Sequence, residues 1–199
     1  MYGITDFSDS LNSTKNKFYG IKLWVFDIAG TIVYEGNLVY KTVCNDINEV
    51  LMRAGKSDKQ ARLELCLEYS AMSELFEQLK AGGRNVVLNT GYDAKTASEI
   101  FTTLGWSVGN QVNASIIADD VDEGRPDPDM ITLTTKQFNV DNSQQVLKAG
   151  DSGINIEEGK NTGCGLVLGV LSSAQNEQRL VKYSPDAVLD KLTELKEFI

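Results

Sequence analysis

Short apolar runs alternate with longer amphipathic stretches along most of this chain. The first run, residues 21–26, is rich in aromatic and β-branched side chains and ends at Asp27, which predicts a buried strand. Similar runs predict four further strands, at 85–88, 114–118, 145–149 and 166–171. Apolar residues at helical spacing predict helices that follow these strands, at 94–104, 128–138, 156–162, 174–181 and 190–198.

This order of elements predicts the fold class. Strands that alternate with helices are typical of βαβ units, which form a parallel sheet through right-handed crossovers. We therefore expect a Rossmann-like α/β domain flanked by helices, with five main parallel strands in the spatial order 5-4-1-2-3.

One stretch interrupts the alternation. Helical patterns at 38–54, ended by Gly55, and at 57–67 precede a third helix at 72–80 that ends at Gly82. We interpret 38–69 as a reduced helical cap inserted above the sheet. Residues 1–20 are then a polar leader, and 21–37 with 70–199 form the Rossmann-like core domain.

Composition narrows the class of partner. The chain carries 28 acidic and 19 basic side chains, a net charge of -9, which argues against nucleic acid and anionic membranes as partners. No stretch is apolar enough to span a bilayer, and the N-terminal residues lack the apolar segment of a signal peptide. The three cysteines form no Cys-x-x-Cys pair, which favours core thiols in a cytoplasmic protein.

The chain contains no histidine. Ser-His-Asp and Cys-His catalysis, imidazole bases and His-containing zinc sites are therefore excluded. Any chemistry must come from carboxylates, hydroxyls, Lys, Arg, thiols or a hard metal ion.

Polar residues follow four of the predicted strands, and carboxyl ends of parallel strands meet at one edge of a sheet. Asp27 and Asp151 follow the first and fourth strands, and a hard cation prefers such oxygen ligands. Thr90 and the Gly91 amide follow the second strand, where a helix start can hold an anion. Arg125, beyond the third strand, could neutralise charge on a substrate's oxygens.

These four segments, in this order, resemble the four motifs of the haloacid dehalogenase superfamily from about residue 21 to the C-terminus. The resemblance implies that Asp27 attacks phosphorus and forms an aspartyl-phosphate, with Thr90 and Arg125 as further catalytic residues. It implies Mg²⁺ bound by the Asp27 and Asp151 carboxylates and the Ala29 carbonyl. It also implies a small phosphorylated or phosphonate substrate bound by Thr90, Gly91, Arg125 and Ser152.

The alanine at position 29 resembles the first motif of one branch of that superfamily. Most of its phosphatases carry a second Asp two residues after the nucleophile, whereas the phosphonoacetaldehyde hydrolase (phosphonatase) branch carries Ala. Thr-Gly-Tyr at 90–92 and Gly-Arg-Pro at 124–126 also resemble that branch, with Arg125 in the role usually filled by Lys.

The chain also departs from that branch. Asp27 and Thr90 are 63 positions apart, too few for a full cap, and Lys59 is the nearest candidate for its Schiff-base lysine. A histidine partner for this lysine cannot exist here, and Asn155 stands where the fourth motif usually has a second acid. Lys59 also suits a solvated helix position.

Alternatives stay open. Asp151-Ser152-Gly153 also suits a turn, Arg125 a surface loop and Thr90-Gly91 a helix cap. The leading function is Mg²⁺-dependent hydrolysis of a phosphate ester or phosphonate. The main alternative is a catalytically impaired relative that binds a phosphorylated ligand or a protein, and a metal-free dehalogenase is weaker. A homodimer is also left open.

Overall fold

The computed structural model describes residues 17–32, 58–171 and 176–199, with the backbone alone at 58–69 and 103. The predicted helix at 38–54 lies outside the described residues, as do the side chains of Lys59, Cys44 and Cys66. The division into leader, cap and core therefore stays a prediction.

A six-stranded parallel sheet forms the centre of the described chain, in the order β3-β2-β1-β4-β5-β6. This confirms the predicted order of the first five strands and adds one strand at the edge. The strands are β1 (Leu23–Asp27), β2 (Asn85–Asn89), β3 (Ala114–Ile116), β4 (Val146–Gly150), β5 (Leu166–Val170) and β6 (Ala187–Leu189).

Within the described ranges, α-helices that connect or flank these strands are α1 (Asp58–Ala81), α2 (Ala94–Leu104), α3 (Asp129–Gln137), α4 (Gly153–Thr162) and α5 (Glu177–Leu180). Short 3₁₀ helices in the same part of the chain lie at Ala118–Asp120, Ser143–Gln145, Val181–Tyr183 and Leu192–Glu197. The predicted helix at 94–104 has the bounds of α2. Asp93 caps its start by accepting a hydrogen bond from the Thr96 amide at 2.8 Å.

Three elements differ from the sequence predictions. The helices predicted at 57–67 and 72–80 form the single helix α1, because no Gly or Pro between residues 58 and 81 interrupts it. The predicted terminal α-helix at 190–198 is the 3₁₀ helix Leu192–Glu197. Strand β6 was missed because three residues are too few to establish an alternating pattern.

The core lies on both faces of the sheet. On one face, Met72, Leu75, Phe76 and Leu79 of α1 are buried, a helical spacing that places them on one side of the helix. On the other face, Met130 and Ile131 of α3 pack with residues of β1 and β2. All five residues of β1 are buried, as expected for a central strand covered on both faces.

The N-terminal edge of the described chain joins the same core. Phe18, within the predicted leader, is fully buried and stacks on Phe198 with ring centroids 5.3 Å apart. Cys164 is half-buried, and burial raises the pKa of its thiol to about 12, which makes it a poor nucleophile. Among the described residues, no helix is long and apolar enough to cross a membrane.

Candidate active site

Asp27 ends the central strand β1 and is almost fully buried, with 3% of its surface exposed. The chain turns away directly after it, and Gly30 takes a left-handed conformation with φ 70° in that turn. The strands are parallel, so Asp27 lies in register with Asn89 at the end of β2. The predicted meeting of strand ends is therefore present in the fold.

Both carboxylate oxygens of Asp27 accept hydrogen bonds. Arg125 donates from Nη1 to Oδ1 at 2.8 Å, an ion pair in which both side chains are largely buried. Asn155 donates from Nδ2 to Oδ2 at 3.3 Å, and the Thr31 hydroxyl lies 3.5 Å from the same oxygen. Such bonds hold the Asp27 carboxylate in one orientation.

Arg125 lies at the centre of these contacts, although it comes from a loop far along the chain. Its Nη1 also donates to Oδ1 of Asn155, so one guanidinium joins Asp27 to α4. Burial alone would lower the pKa of Arg125, but the neighbouring charges of Asp27 and Glu158 raise it above its ordinary value. Asp151 adds to this effect, so the guanidinium stays charged.

Thr90 and Gly91 follow β2 directly. Thr90 is buried, and its Oγ1 accepts a hydrogen bond from the Tyr92 amide at 3.2 Å, a bond that does not use the hydroxyl proton. Gly91 lies against Arg125, because a Cβ on it would stand 3.1 Å from Nη2. A glycine here lets the guanidinium lie close to the backbone.

Asp151 and Ser152 stand between β4 and α4. Asp151 is 4% exposed, and its charge acts on Arg125. The Ser152 Oγ accepts a hydrogen bond from Nδ2 of Asn155 at 2.7 Å. The structure thus brings Asp27, Arg125 and Asp151 together as predicted, while the roles assigned to each residue stay predictions.

Residues 31–169, more than half of the chain, match a family model described as haloacid dehalogenase-like hydrolase. The chain belongs to the haloacid dehalogenase-like hydrolase family. This confirms the superfamily predicted from the four motifs. The match begins after Asp27, so the case for this residue as nucleophile depends on its motif and its contacts.

Two curated relatives show the same likeness. This chain is 30% identical over 129 residues to phosphonoacetaldehyde hydrolase from Latilactobacillus sakei, and the match covers 63% of this chain and 48% of the relative. It is 28% identical over 132 residues to pyrophosphatase PpaX from Bacillus velezensis, covering 66% of this chain and 59% of the relative. The chain therefore spans about half the length of the curated relatives it matches.

Solved structures of the family share the fold. A phosphonoacetaldehyde hydrolase-like protein from Oleispira antarctica is 19% identical, with a TM-score of 0.62, and the match covers 89% of this chain and 91% of that one. At this level of identity, the likeness concerns the fold alone.

Members of this family typically use Mg²⁺. The residues present suit such an ion, because two buried carboxylates act on the same guanidinium: Asp27 ends β1, and Asp151 directly follows the neighbouring strand β4. Mg²⁺ is commonly bound through one or two carboxylates, with waters and substrate oxygens completing its shell. A site of three or more acidic, Cys or His side chains does not occur among the described residues, so such a shell would need the Ala29 carbonyl and water.

Sequence reasoning missed several residues at and below this site. Asn155 was noted only as a missing acid, yet it contacts both Asp27 and Arg125. Asn89, Lys148 and Glu158 form a fully buried polar group beneath them. One signal was available, because Lys148 interrupts an otherwise apolar strand, and a buried lysine needs a partner.

Proposed function

We propose that this chain hydrolyses a small phosphate ester or phosphonate through an aspartyl-phosphate on Asp27, with Mg²⁺ as cofactor. The observation that carries the proposal is the Asp27 carboxylate, buried at the end of the central strand and held by Arg125 and Asn155. A carboxylate held in one orientation beside a cation is suited to attack phosphorus.

In the first step an Asp27 oxygen forms a bond to phosphorus, and the bond to the leaving group breaks with its electron pair. In the second step water attacks phosphorus, inorganic phosphate leaves, and the Asp27 carboxylate is restored. Arg125 is permanently charged and can pair with the non-bridging oxygens of the phosphoryl group in both steps.

The loop after β2 supplies donors to the same group. Thr90 and Gly91 directly follow β2, and Gly91 lies close to Arg125, so the Thr90 hydroxyl and the Gly91 amide would donate to the phosphoryl oxygens. The Asp27 and Asp151 carboxylates with the Ala29 carbonyl would hold Mg²⁺, which supplies positive charge to the phosphoryl oxygens when bound.

Ala29 limits the substrates. A methyl group stands where a carboxylic acid would protonate a departing alkoxide, and Thr31, Arg125 and Asn155, which contact Asp27, are not carboxylic acids. Substrates whose leaving groups depart without a proton, such as acyl phosphates and aryl phosphates, therefore suit this site better than alkyl phosphates.

The test is turnover of p-nitrophenyl phosphate and phosphonoacetaldehyde, each with and without Mg²⁺, by wild type, Asp27→Asn and Asp141→Asn. Asp141 is an exposed carboxylate ahead of β4, at the opposite end of the sheet, and serves as the control. We expect Mg²⁺-dependent turnover in wild type and Asp141→Asn, and a loss of at least about 10³-fold in Asp27→Asn, as for a nucleophile. Retained turnover in pure Asp27→Asn would disprove the mechanism.

A second function, binding a phosphorylated ligand without turnover, is favoured by one observation. Arg125 and Asn155 already occupy both Asp27 oxygens, and neither Ala29 nor Asn155 supplies an acid. Binding of inorganic phosphate by wild type in calorimetry, without turnover of either substrate, would favour this function over hydrolysis.

A further inference from the structure

Three polar side chains beneath the candidate site form a closed ring. Lys148 donates from Nζ to Oδ1 of Asn89, and Asn89 donates from Nδ2 to Oε1 of Glu158 at 2.8 Å. The ring closes where Oε2 of Glu158 lies 2.8 Å from Nζ of Lys148. We call these three residues the buried ring.

The buried ring is costly to maintain. All three residues have no exposed surface, and a charge removed from water needs a partner of opposite sign and further hydrogen bonds. Burial lowers the pKa of Lys148, and the Glu158 carboxylate opposes that effect. Replacing a buried ion pair such as Lys148–Glu158 with apolar side chains of similar volume often costs a protein little stability. Stability alone therefore does not explain the buried ring.

Each member of the buried ring comes from an element that carries the candidate site. Asn89 ends β2, directly before Thr90, and pairs in register with Asp27. Glu158 follows Asn155 by one helical turn of α4, so both side chains lie on the same face of that helix. Lys148 lies in β4, three residues before Asp151, and its stem crosses α4 at Gly159.

Arg125 also links β2 to α4, on the side of the buried ring nearer to Asp27. Its guanidinium lies close to Gly91, just past β2, and donates to Asn155 at the start of α4. The separation of β2 and α4 thus decides whether Arg125 can reach Asp27 at 2.8 Å while bonded to Asn155.

We propose that Asn89, Lys148 and Glu158 are positioning residues: the buried ring sets the separation of β2 and α4 and thereby holds Arg125 against Asp27. The consequence for turnover rests on the proposed function, but the position of Arg125 does not. A test can therefore measure the position and the turnover separately.

Two variants remove the ring by different routes. Asn89→Ala opens it and leaves the Lys148–Glu158 ion pair in place. A triple variant, Asn89→Leu with Lys148→Met and Glu158→Leu, fills the same space without any buried polar group. Val140→Ala, a buried core position ahead of β4, is the control for a general loss of stability.

Three measurements separate positioning from stability. The melting temperature reports folding, and NMR of the arginine side chains reports whether the Arg125 guanidinium protons are protected from exchange. For turnover, kcat and KM are measured with p-nitrophenyl phosphate. We expect wild type and Val140→Ala to keep slowly exchanging Arg125 signals, and both ring variants to lose them. We also expect kcat of the ring variants to fall at least tenfold, with a smaller change in KM.

Each outcome decides the proposal. Protected Arg125 signals in a folded ring variant would overturn it, as would kcat within twofold of wild type when wild type is active. If one ring variant fails to fold, the other decides. If wild type shows no turnover, the proposed function fails, and the Arg125 signals alone decide the role of the buried ring.

Discussion

At the scale of single residues, the proposed function gives Ala29 the largest consequence for the chemistry. It stands two positions after Asp27, where a carboxylic acid would protonate a departing alkoxide. General acid catalysis of this kind contributes about 10²–10⁴-fold. Under the proposed mechanism, the methyl group of Ala29 would deny this chain that contribution.

Restoring the acid should change which substrates react. We expect Ala29→Asp to raise kcat/KM on an alkyl phosphate such as glycerol phosphate by about tenfold or more, and to change aryl phosphate turnover much less, because only the alkoxide needs a proton. Steady-state kinetics on both substrates check this, with Ala29→Asn as a control of similar size. Equal gains in both variants, or fast alkyl turnover in wild type, would contradict this role for position 29.

The predicted Mg²⁺ site can also be tested at a single side chain, Asp151. Asp151 is buried at the strand end beside Asp27 and carries one of the two carboxylates assigned to Mg²⁺. We expect Asp151→Asn to weaken Mg²⁺ binding by roughly tenfold or more, because a neutral amide replaces a charged ligand. Isothermal titration calorimetry measures this against Asp141→Asn. Equal affinity in wild type and Asp151→Asn would refute the assignment.

At the scale of elements, the close contact of α4 with β4 places Asn155 against Asp27 and Glu158 in the buried ring. Gly159 permits this contact, because a Cβ there would lie 2.9 Å from Cγ2 of Val167 and 3.0 Å from Cβ of Lys148. The helix can approach the sheet this closely only without a side chain at that position.

Adding that side chain should push the helix away. We expect Gly159→Ala to lower the free energy of unfolding by about 1–3 kcal/mol, as for an overpacked core. Denaturant unfolding measures the change, with the exposed Gly20→Ala as control, where a Cβ would meet only the Lys17 carbonyl at 3.7 Å. If Gly159→Ala is as stable as Gly20→Ala, α4 has room to shift.

At the scale of the whole molecule, the buried charged side chains of the described residues lie at and beneath the candidate site. The net charge is -9, and the charges at and beneath the site are the three carboxylates Asp27, Asp151 and Glu158 with the two cations Arg125 and Lys148. A bound Mg²⁺ would add two positive charges and make the local sum positive, so an anion could then bind inside an acidic protein. A cytoplasmic location and a homodimer stay predictions.

Binding at Asp27 should stabilise the whole fold by mass action. Beryllium fluoride with Mg²⁺ imitates an aspartyl-phosphate, and at about 100 times its Kd it should add about 2.7 kcal/mol, or roughly 5–10 °C in Tm. Thermal unfolding of wild type and Asp27→Asn checks this. We expect the shift in wild type alone, and an equal shift in both proteins would place the ligand elsewhere.

The order of elements and the strand ends were open to prediction because both depend on neighbouring residues. Apolar runs such as 21–26 mark central strands, and parallel strands bring their carboxyl ends to one edge. Asp27, Thr90 and Asp151 could thus be grouped from sequence alone. The length of α1 and the three-residue strand β6 were misjudged, because local pattern is weakest where no Gly or Pro ends a helix and where a strand is very short.

Tertiary structure decided the contacts between distant residues. Asn155 lies 128 positions from Asp27, and Lys148 lies 59 positions from Asn89, so no local pattern records that these side chains meet. The sequence by itself determined the order of the first five strands and the edge of the sheet at which Asp27, Thr90 and Asp151 lie. Only the packing of α4 on β4 decided that Arg125 and Asn155 hold Asp27 above the buried ring, because side-chain contacts depend on distances that the fold sets.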